Sequence, residues 1–238
     1  MKWVVPQTLN IISTDLTDTI NLTDNDIASQ VTKTNSLTVT LNQGITDTIS
    51  LLGLEAKSVQ IDLLDVTTQS VIKTYEIETL DEAFEDIWGY FYDDFLFKSD
   101  IVVDLILTYN MLIKVTVLNN GSTAKLGKIV VGRASKNVEM LVKHTPGMTD
   151  YTTIERTNTG TVTITEGYFA KKMSFTIVID TSEYSRMVKR LYAIRGKSVL
   201  FIGDGGEHTI VYGIMRDFDS QYEFANKNYI GLSIEGII

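Results

Sequence analysis

The sequence predicts a mainly β protein: an antiparallel β-sandwich followed by a smaller α+β domain with one amphipathic helix. Three observations carry this. Between Ser36 and Arg133 short alternating apolar runs recur at a spacing of roughly ten residues, the rhythm of a sandwich. Tyr184, Met187, Val188, Leu191 and Ile194 recur instead at helical spacing, behind the cap-forming Asp180, Thr181 and Ser182. Turns rest on Gly, Asn and Asp, since the only prolines are Pro6 and Pro146. The expected organisation is an extended arm and polar segment over residues 1–35, the sandwich over 36–135, and the α+β domain over 136–238 with its helix at about 182–195.

Taken in order, Lys2 to Leu9 is apolar and extended around Pro6, and a strand holding a proline belongs at an edge. Residues 1–10 are therefore expected to lie against another domain or another subunit. Ser13 to Lys33, rich in Thr, Asp and Asn, reads as a loop or clasp. Sandwich strands are expected at Leu37–Leu41, Thr46–Leu52, Ser58–Leu63, Val71–Ile77, Ile101–Leu107, Met111–Val117 and Lys128–Gly132. Asn119-Asn-Gly-Ser122 is expected to turn the chain between the last two. Leu80 to Phe97 breaks the rhythm, crowding aromatics and carboxylates without a single base.

Residues from Arg133 to about Tyr151, with His144 and Pro146-Gly147, read as a connector between domains. Thr152–Asn158 and Thr161–Ile164 read as a hairpin around Thr159-Gly160. Met173–Asp180 is a strand, the helix stops at Gly196, Ser198–Ile202 is a short strand, and Gly203-Asp-Gly-Gly206 turns into Thr209–Phe218. The last strand, Tyr229–Glu235, is apolar and must bury itself somewhere. Both ends of the chain are expected to complete a neighbour's sheet, which would also cover edges open to aggregation.

Composition excludes several functions. The chain has 238 residues, 44% hydrophobic content, no cysteine and two histidines, so disulfides, thiolate metal sites and multi-histidine cages are out of reach. A net charge of −9 argues against non-specific binding to nucleic acid or anionic membrane. No apolar run approaches the roughly 20 residues of a membrane span, and Met1 to Pro6 is too short for a signal peptide, so no export and no membrane insertion are expected.

Candidate chemistry is sparse. Gly203 to Glu207 resembles a phosphate cradle only in its glycines, because a strand follows where a cradle needs a helix N-terminus. The carboxylates between Glu76 and Asp104 lack the alternation of a calcium loop and read as a solvated acidic face or a docking surface, with Asp81, Glu82 and Glu85 its candidate residues. Trp88, Tyr90 and Tyr92 share one face of an expected strand, and such a row suits sugar stacking, sandwich core or protein interface alike. Arg186, Lys189 and Arg190 line the helix's polar face and meet water, the helix's own last carbonyls or an acidic surface of a neighbour. No Gly-x-Ser-x-Gly elbow occurs. No catalytic, metal or cofactor residue is assigned, and no cofactor is expected.

Several strings resemble a family of tailed-bacteriophage tail proteins from the tail tip or baseplate: Lys2-Trp-Val-Val-Pro6, Ala56-Lys-Ser-Val-Gln60, Trp88-Gly-Tyr-Phe-Tyr92, Lys98-Ser-Asp-Ile-Val102 and Gly127-Lys-Ile-Val-Val-Gly132. The resemblance continues through Phe169-Ala-Lys-Lys-Met-Ser-Phe175, Val199-Leu-Phe-Ile-Gly203, Thr209-Ile-Val-Tyr-Gly213, Asp217-Phe218 and Ser233-Ile-Glu-Gly236. It implies a non-enzymatic structural subunit of the virion tail, made in the host cytoplasm, in a symmetric homo-oligomeric arrangement with other tail and baseplate proteins. Some members of that family carry a carbohydrate-binding insertion after the N-terminal arm. Only the Thr/Asp/Asn segment occupies that interval here, so binding of a host-surface glycan or receptor is the alternative.

Overall fold

The computed structural model describes residues 1–16, 19–24, 26–80, 97–109, 111–135, 140–158, 160–204, 206–222 and 226–237. The chain is mainly β and divides into two compact units, one of Pro6–Arg133 and one of Met1–Val5 with Ala134–Ile238. The boundaries differ from those expected. The first five residues join the C-terminal unit, and the rest of the expected arm belongs to the sandwich.

In the unit Pro6–Arg133 the strands, numbered along the chain, form two antiparallel sheets. The larger runs β2 (Ile11–Thr14), β3 (Val31–Asn42), β8 (Met111–Leu126), β5 (Ser58–Asp65), β6 (Val71–Glu78). The smaller runs β7 (Ile101–Thr108), β4 (Thr46–Leu52), β9 (Lys128–Gly132). Period-two alternation stacks the core of the larger sheet in three cross-strand rows: Leu37, Val117 and Val59; Val39, Val115 and Ile61; Leu41, Ile113 and Leu63. All nine are buried, and Ile49, Leu51, Ile129 and Val131 of the smaller sheet complete the same core. Burying each such side chain contributes about 1.5–3 kcal/mol, which is why this alternation was readable in advance.

One detail of this unit departs from expectation. Asn119 to Ser122 does not reverse the chain, because β8 runs on to Leu126 and keeps its pairing with β3. The register jumps from Asn35–Asn119 to Thr34–Thr123, so residues 120–122 bulge out; Asn35 and Gly121 both take left-handed φ, and the Gly121 N–H donates to the Asn35 side chain. The polar segment acts as a clasp. Leu22, in a short helical turn at Ile20–Leu22, is fully buried in the sandwich core. Gly127 permits the close approach of that segment, since a Cβ there would lie 2.3 Å from the Ile27 carbonyl oxygen.

The second unit is built on a six-stranded antiparallel sheet with the order β1 (Lys2–Val4), β14 (Val199–Ile202), β15 (Ile210–Tyr222), β16 (Lys227–Gly236), β13 (Phe169–Asp180), β10 (Met140–Asp150). The helix, Thr181–Ile194, follows β13 without a linker. Asp180 occupies the N-cap position in extended conformation, and Met187, Leu191 and Ile194 are buried. They share a core with Trp3, Phe175, Ile177, Phe201, Val211 and Ile234. Gly196, with φ of 71°, takes the left-handed position that ends the helix.

β16 finds its partners within this sheet, correcting the expectation that it completes a neighbour, while β1 lies in the sheet of the α+β unit, the first of the two placements expected for the start of the chain. β16 lies between β15 and β13, with Asn228, Ile230, Leu232 and Ile234 buried. β1 pairs with β14 on one side. On its other side Ser135 N–H donates to the Trp3 carbonyl, and Trp3 N–H donates to Ser135 Oγ. Pro6 lies outside the paired residues, so it does not restrict β1 to a single partner. The expected connector is also a strand: β10 carries His144 and Pro146, and its place at the sheet edge tolerates a proline without an N–H.

A separate two-stranded ribbon, β11 (Thr153–Arg156) and β12 (Val162–Thr165), falls where the hairpin was expected. No helix among the described residues is long and apolar enough to cross a membrane.

Candidate functional site

The residues singled out in the sequence divide sharply. Asp81, Glu82, Glu85, Trp88, Tyr90 and Tyr92 lie outside the described residues. Arg186 and Lys189 are exposed and Arg190 is half-buried on the helix. Arg186 stands 3.9 Å from Glu183, one helical turn back, in an exposed pair of the kind that contributes little to stability.

What the sequence did not suggest is a meeting of the two histidines. His144 lies on the edge strand β10, opposite Phe175 of β13, while His208 sits in the connection between β14 and β15. In sheet order these elements are far apart. In space the two imidazoles stack, with ring centroids 5.7 Å apart and planes inclined by 30°. A sheet whose strands twist in one sense curls, and here the curl brings the far edge strand to this turn.

Asp204 completes the group. One ligand-capable atom from each of His144, Asp204 and His208 lies within 4.8 Å of the other two. Local chemistry fixes the carboxylate: its Oδ1 accepts from Thr209 Oγ1 at 2.7 Å and from Gly206 N–H at 3.0 Å. The Thr209 hydroxyl first, then the Gly206 amide, hold the Asp204 carboxyl below the usual range; slight burial opposes this and the two imidazoles assist it. Gly206 leaves room for His208, because a Cβ there would lie 2.6 Å from its Cε1. His144 Nδ1 is shielded from solvent and has no hydrogen-bond partner among the described residues. Two imidazole nitrogens and a carboxylate converging from two elements are a donor set for a metal ion. The expected hairpin across Gly203–Glu207 is confirmed as a β14–β15 connection, with a short helical turn at Glu207–Thr209.

A second feature is apolar. Cross-strand pairing places Ile154 opposite Ile164 and Arg156 opposite Val162 on one face of the β11–β12 ribbon, with Thr153, Glu155, Thr163 and Thr165 on the other. Every residue of both strands is exposed: Ile154 at 60%, Ile164 at 66% and Val162 at 47%. Tyr151, Tyr168 and Phe169, where the ribbon joins the sheet, are exposed as well. The alternating sequence of this hairpin was legible; that its apolar face would be uncovered was not, because alternation fixes which residues share a face and not what lies against it.

No protein-family model and no curated protein match the chain. Among solved structures it is similar to the lectin domain of lectinolysin. A histidine mutant of that domain complexed with Lewis b superposes with a TM-score of 0.39 at 10% identity, covering 56% of this chain and 99% of that one. The lectin domain complexed with Lewis B antigen gives 0.37 at 11% identity, covering 55% and 94%. At these scores the likeness bears on neither the fold nor the function of this chain.

Proposed function

We propose that this chain is a non-enzymatic structural subunit of a bacteriophage tail, at the tip or baseplate, assembling with further copies of itself and with other tail proteins in the virion. The observation that carries the reading is the uncovered apolar face of the β11–β12 ribbon. An isolated two-stranded ribbon is marginal in water, and a contiguous exposed apolar surface marks an interaction site. Ile154, Val162 and Ile164 give that face its apolar area, and Arg156 beside them is of a type that interface centres favour. The order of tail-protein strings along the sequence supports the same reading independently. The chain termini, satisfied in their own sheet, no longer contribute to it.

The test is the mass of the purified chain in solution. The parent is expected to run as an oligomer in light scattering at tens of micromolar, and Ile154→Asp with Ile164→Asp to run as a monomer with an unchanged melting temperature. A parent that stays monomeric, alone and mixed with the neighbouring tail proteins, overturns the proposal. The second reading, contact with a host-surface glycan through Trp88, Tyr90 and Tyr92, rests on the aromatic row in the sequence. A glycan-array signal that disappears in Trp88→Ala would favour it.

A further inference from the structure

We propose that His144, Asp204 and His208 form a binding site for a divalent first-row transition metal, Zn²⁺ in the first instance. The donor set selects the ion. Imidazole nitrogen suits Zn²⁺, Co²⁺ and Ni²⁺, whereas Ca²⁺ takes six to eight oxygens and Mg²⁺ an octahedron of them, which one carboxylate cannot supply.

The geometry is close to what the ion needs. Metal–ligand distances of about 2.0–2.2 Å in a tetrahedron put neighbouring ligand atoms about 3.4 Å apart. The three atoms here lie within 4.8 Å of one another, so small rotations of side chains that are half-buried or exposed close the difference.

Two further observations point to an unfilled bond. His144 Nδ1 is sequestered without a hydrogen-bond partner among the described residues, a cost the fold bears unless something occupies that lone pair or N–H. The Asp204 carboxylate is oriented from outside by Thr209 and Gly206, whose bonds all fall on Oδ1, as outer partners orient a metal-binding carboxylate. Three protein ligands would leave a fourth position for water or for a donor from a neighbouring molecule.

The ion would tie the edge strand β10 to the β14–β15 connection, elements that do not pair within the sheet. It would thus act as a clip on the curl.

The test uses the untagged full chain, stripped with a chelator, dialysed, and titrated with Zn²⁺ in the presence of excess Mg²⁺ to mask diffuse binding by an acidic protein. Calorimetry and native mass spectrometry are expected to give one Zn²⁺ per chain, and Co²⁺ to give the intense visible absorption of a tetrahedral site. His208→Ala, in an exposed turn that leaves the core intact, should weaken binding at least tenfold, and Asp204→Asn likewise. Thr209→Val should weaken it less, through the carboxylate's orientation. Should the parent take up no stoichiometric Zn²⁺, or His208→Ala bind it as well as the parent, the site does not exist.

Discussion

The two compact units hide one face of a β-sheet by different means, and the difference separates scaffold from surface. In the sandwich, sheet closes on sheet over aliphatic rows, and its largest fully buried side chains are leucines and isoleucines. In the other unit a curled sheet closes over a helix, and the filling is mixed: Trp3, Phe175, Phe201, Met173, Met187 and Met215. Aliphatic rows give regular layers, whereas large aromatics and flexible methionines fill the irregular space between a helix and a curling sheet. The irregular unit is also the one carrying features that its own fold leaves open, the ribbon with no buried residue and the histidine pair. The sandwich exposes apolar residues too, Val71 and Ile72 among them, but on a strand whose Tyr75 and Ile77 pack against the core.

The largest expected effects break the two cores. Phe175→Ala should cost about 3–5 kcal/mol and Ile61→Ala about 2–5 kcal/mol in chemical denaturation. Hydrogen exchange should place the loss of protection in β13 and β16 for the first, and in β3, β5 and β8 for the second, following the pairings of each strand. Ile154→Ala, as apolar a deletion as Ile61→Ala, should stay within about 0.5 kcal/mol in the monomer because nothing covers it. A large destabilisation by Ile154→Ala would mean that the ribbon is integral to its unit rather than free to bind.

A step smaller is the close approach of backbones at the centre of the curled sheet. Gly213 of β15 faces Gly236 of β16, and a Cβ on Gly213 would lie 2.1 Å from the Glu235 carbonyl oxygen. Gly213→Ala must therefore displace backbone, at a cost of about 1–3 kcal/mol. Gly121→Ala, in the bulge of β8 with nothing within reach, meets only the strain of its left-handed φ of 84°, about 1–2 kcal/mol. Paired denaturation curves of the two variants rank the clash against the strain.

Where period-two alternation met burial on one face, the sequence was readable: β4 was placed residue for residue at Thr46–Leu52, and Leu37, Val39 and Leu41 announced their row. The helix was legible from Met187, Leu191 and Ile194 for the same reason, with period 3.6 in place of two. What escaped was decided over distance. Pro146 argued for a connector and sits in an edge strand, since a missing N–H costs nothing on the side that has no partner. Asn119 to Ser122 has turn chemistry, yet β8 continues past it, pairing with the long β3 on both sides of a bulge at residues 120–122. The His144–Asp204–His208 group depends on curl, which no spacing between positions 144 and 208 encodes.

The smallest effect compares two exposed aspartates at chain reversals, one in each unit. Asp65, at the end of β5, accepts from the amides of Thr67 and Thr68 and from the Thr68 hydroxyl. Asp150, at the end of β10, accepts from the Thr152 amide. Hydrogen bonds to the ionised form hold both carboxyls below their ordinary value, Asp65 chiefly through the Thr68 and Thr67 amides and Asp150 through the Thr152 side chain first and its amide second. A depressed folded-state value means stabilisation that is fully present above the unfolded value of about 3.9 and is lost as pH falls through the folded value. The Thr68 amide proton should therefore shift in NMR with a midpoint below about 3.9, and the Thr152 amide likewise. In Asp65→Asn the Thr68 step should vanish while that of Thr152 stays. If the Thr68 midpoint coincides with that of a free aspartate, the bonds do not favour the charged form, and the turn after β5 is left to the backbone bonds from Asp65 N–H to the Ser70 carbonyl and from Gln69 N–H to the Asp65 carbonyl.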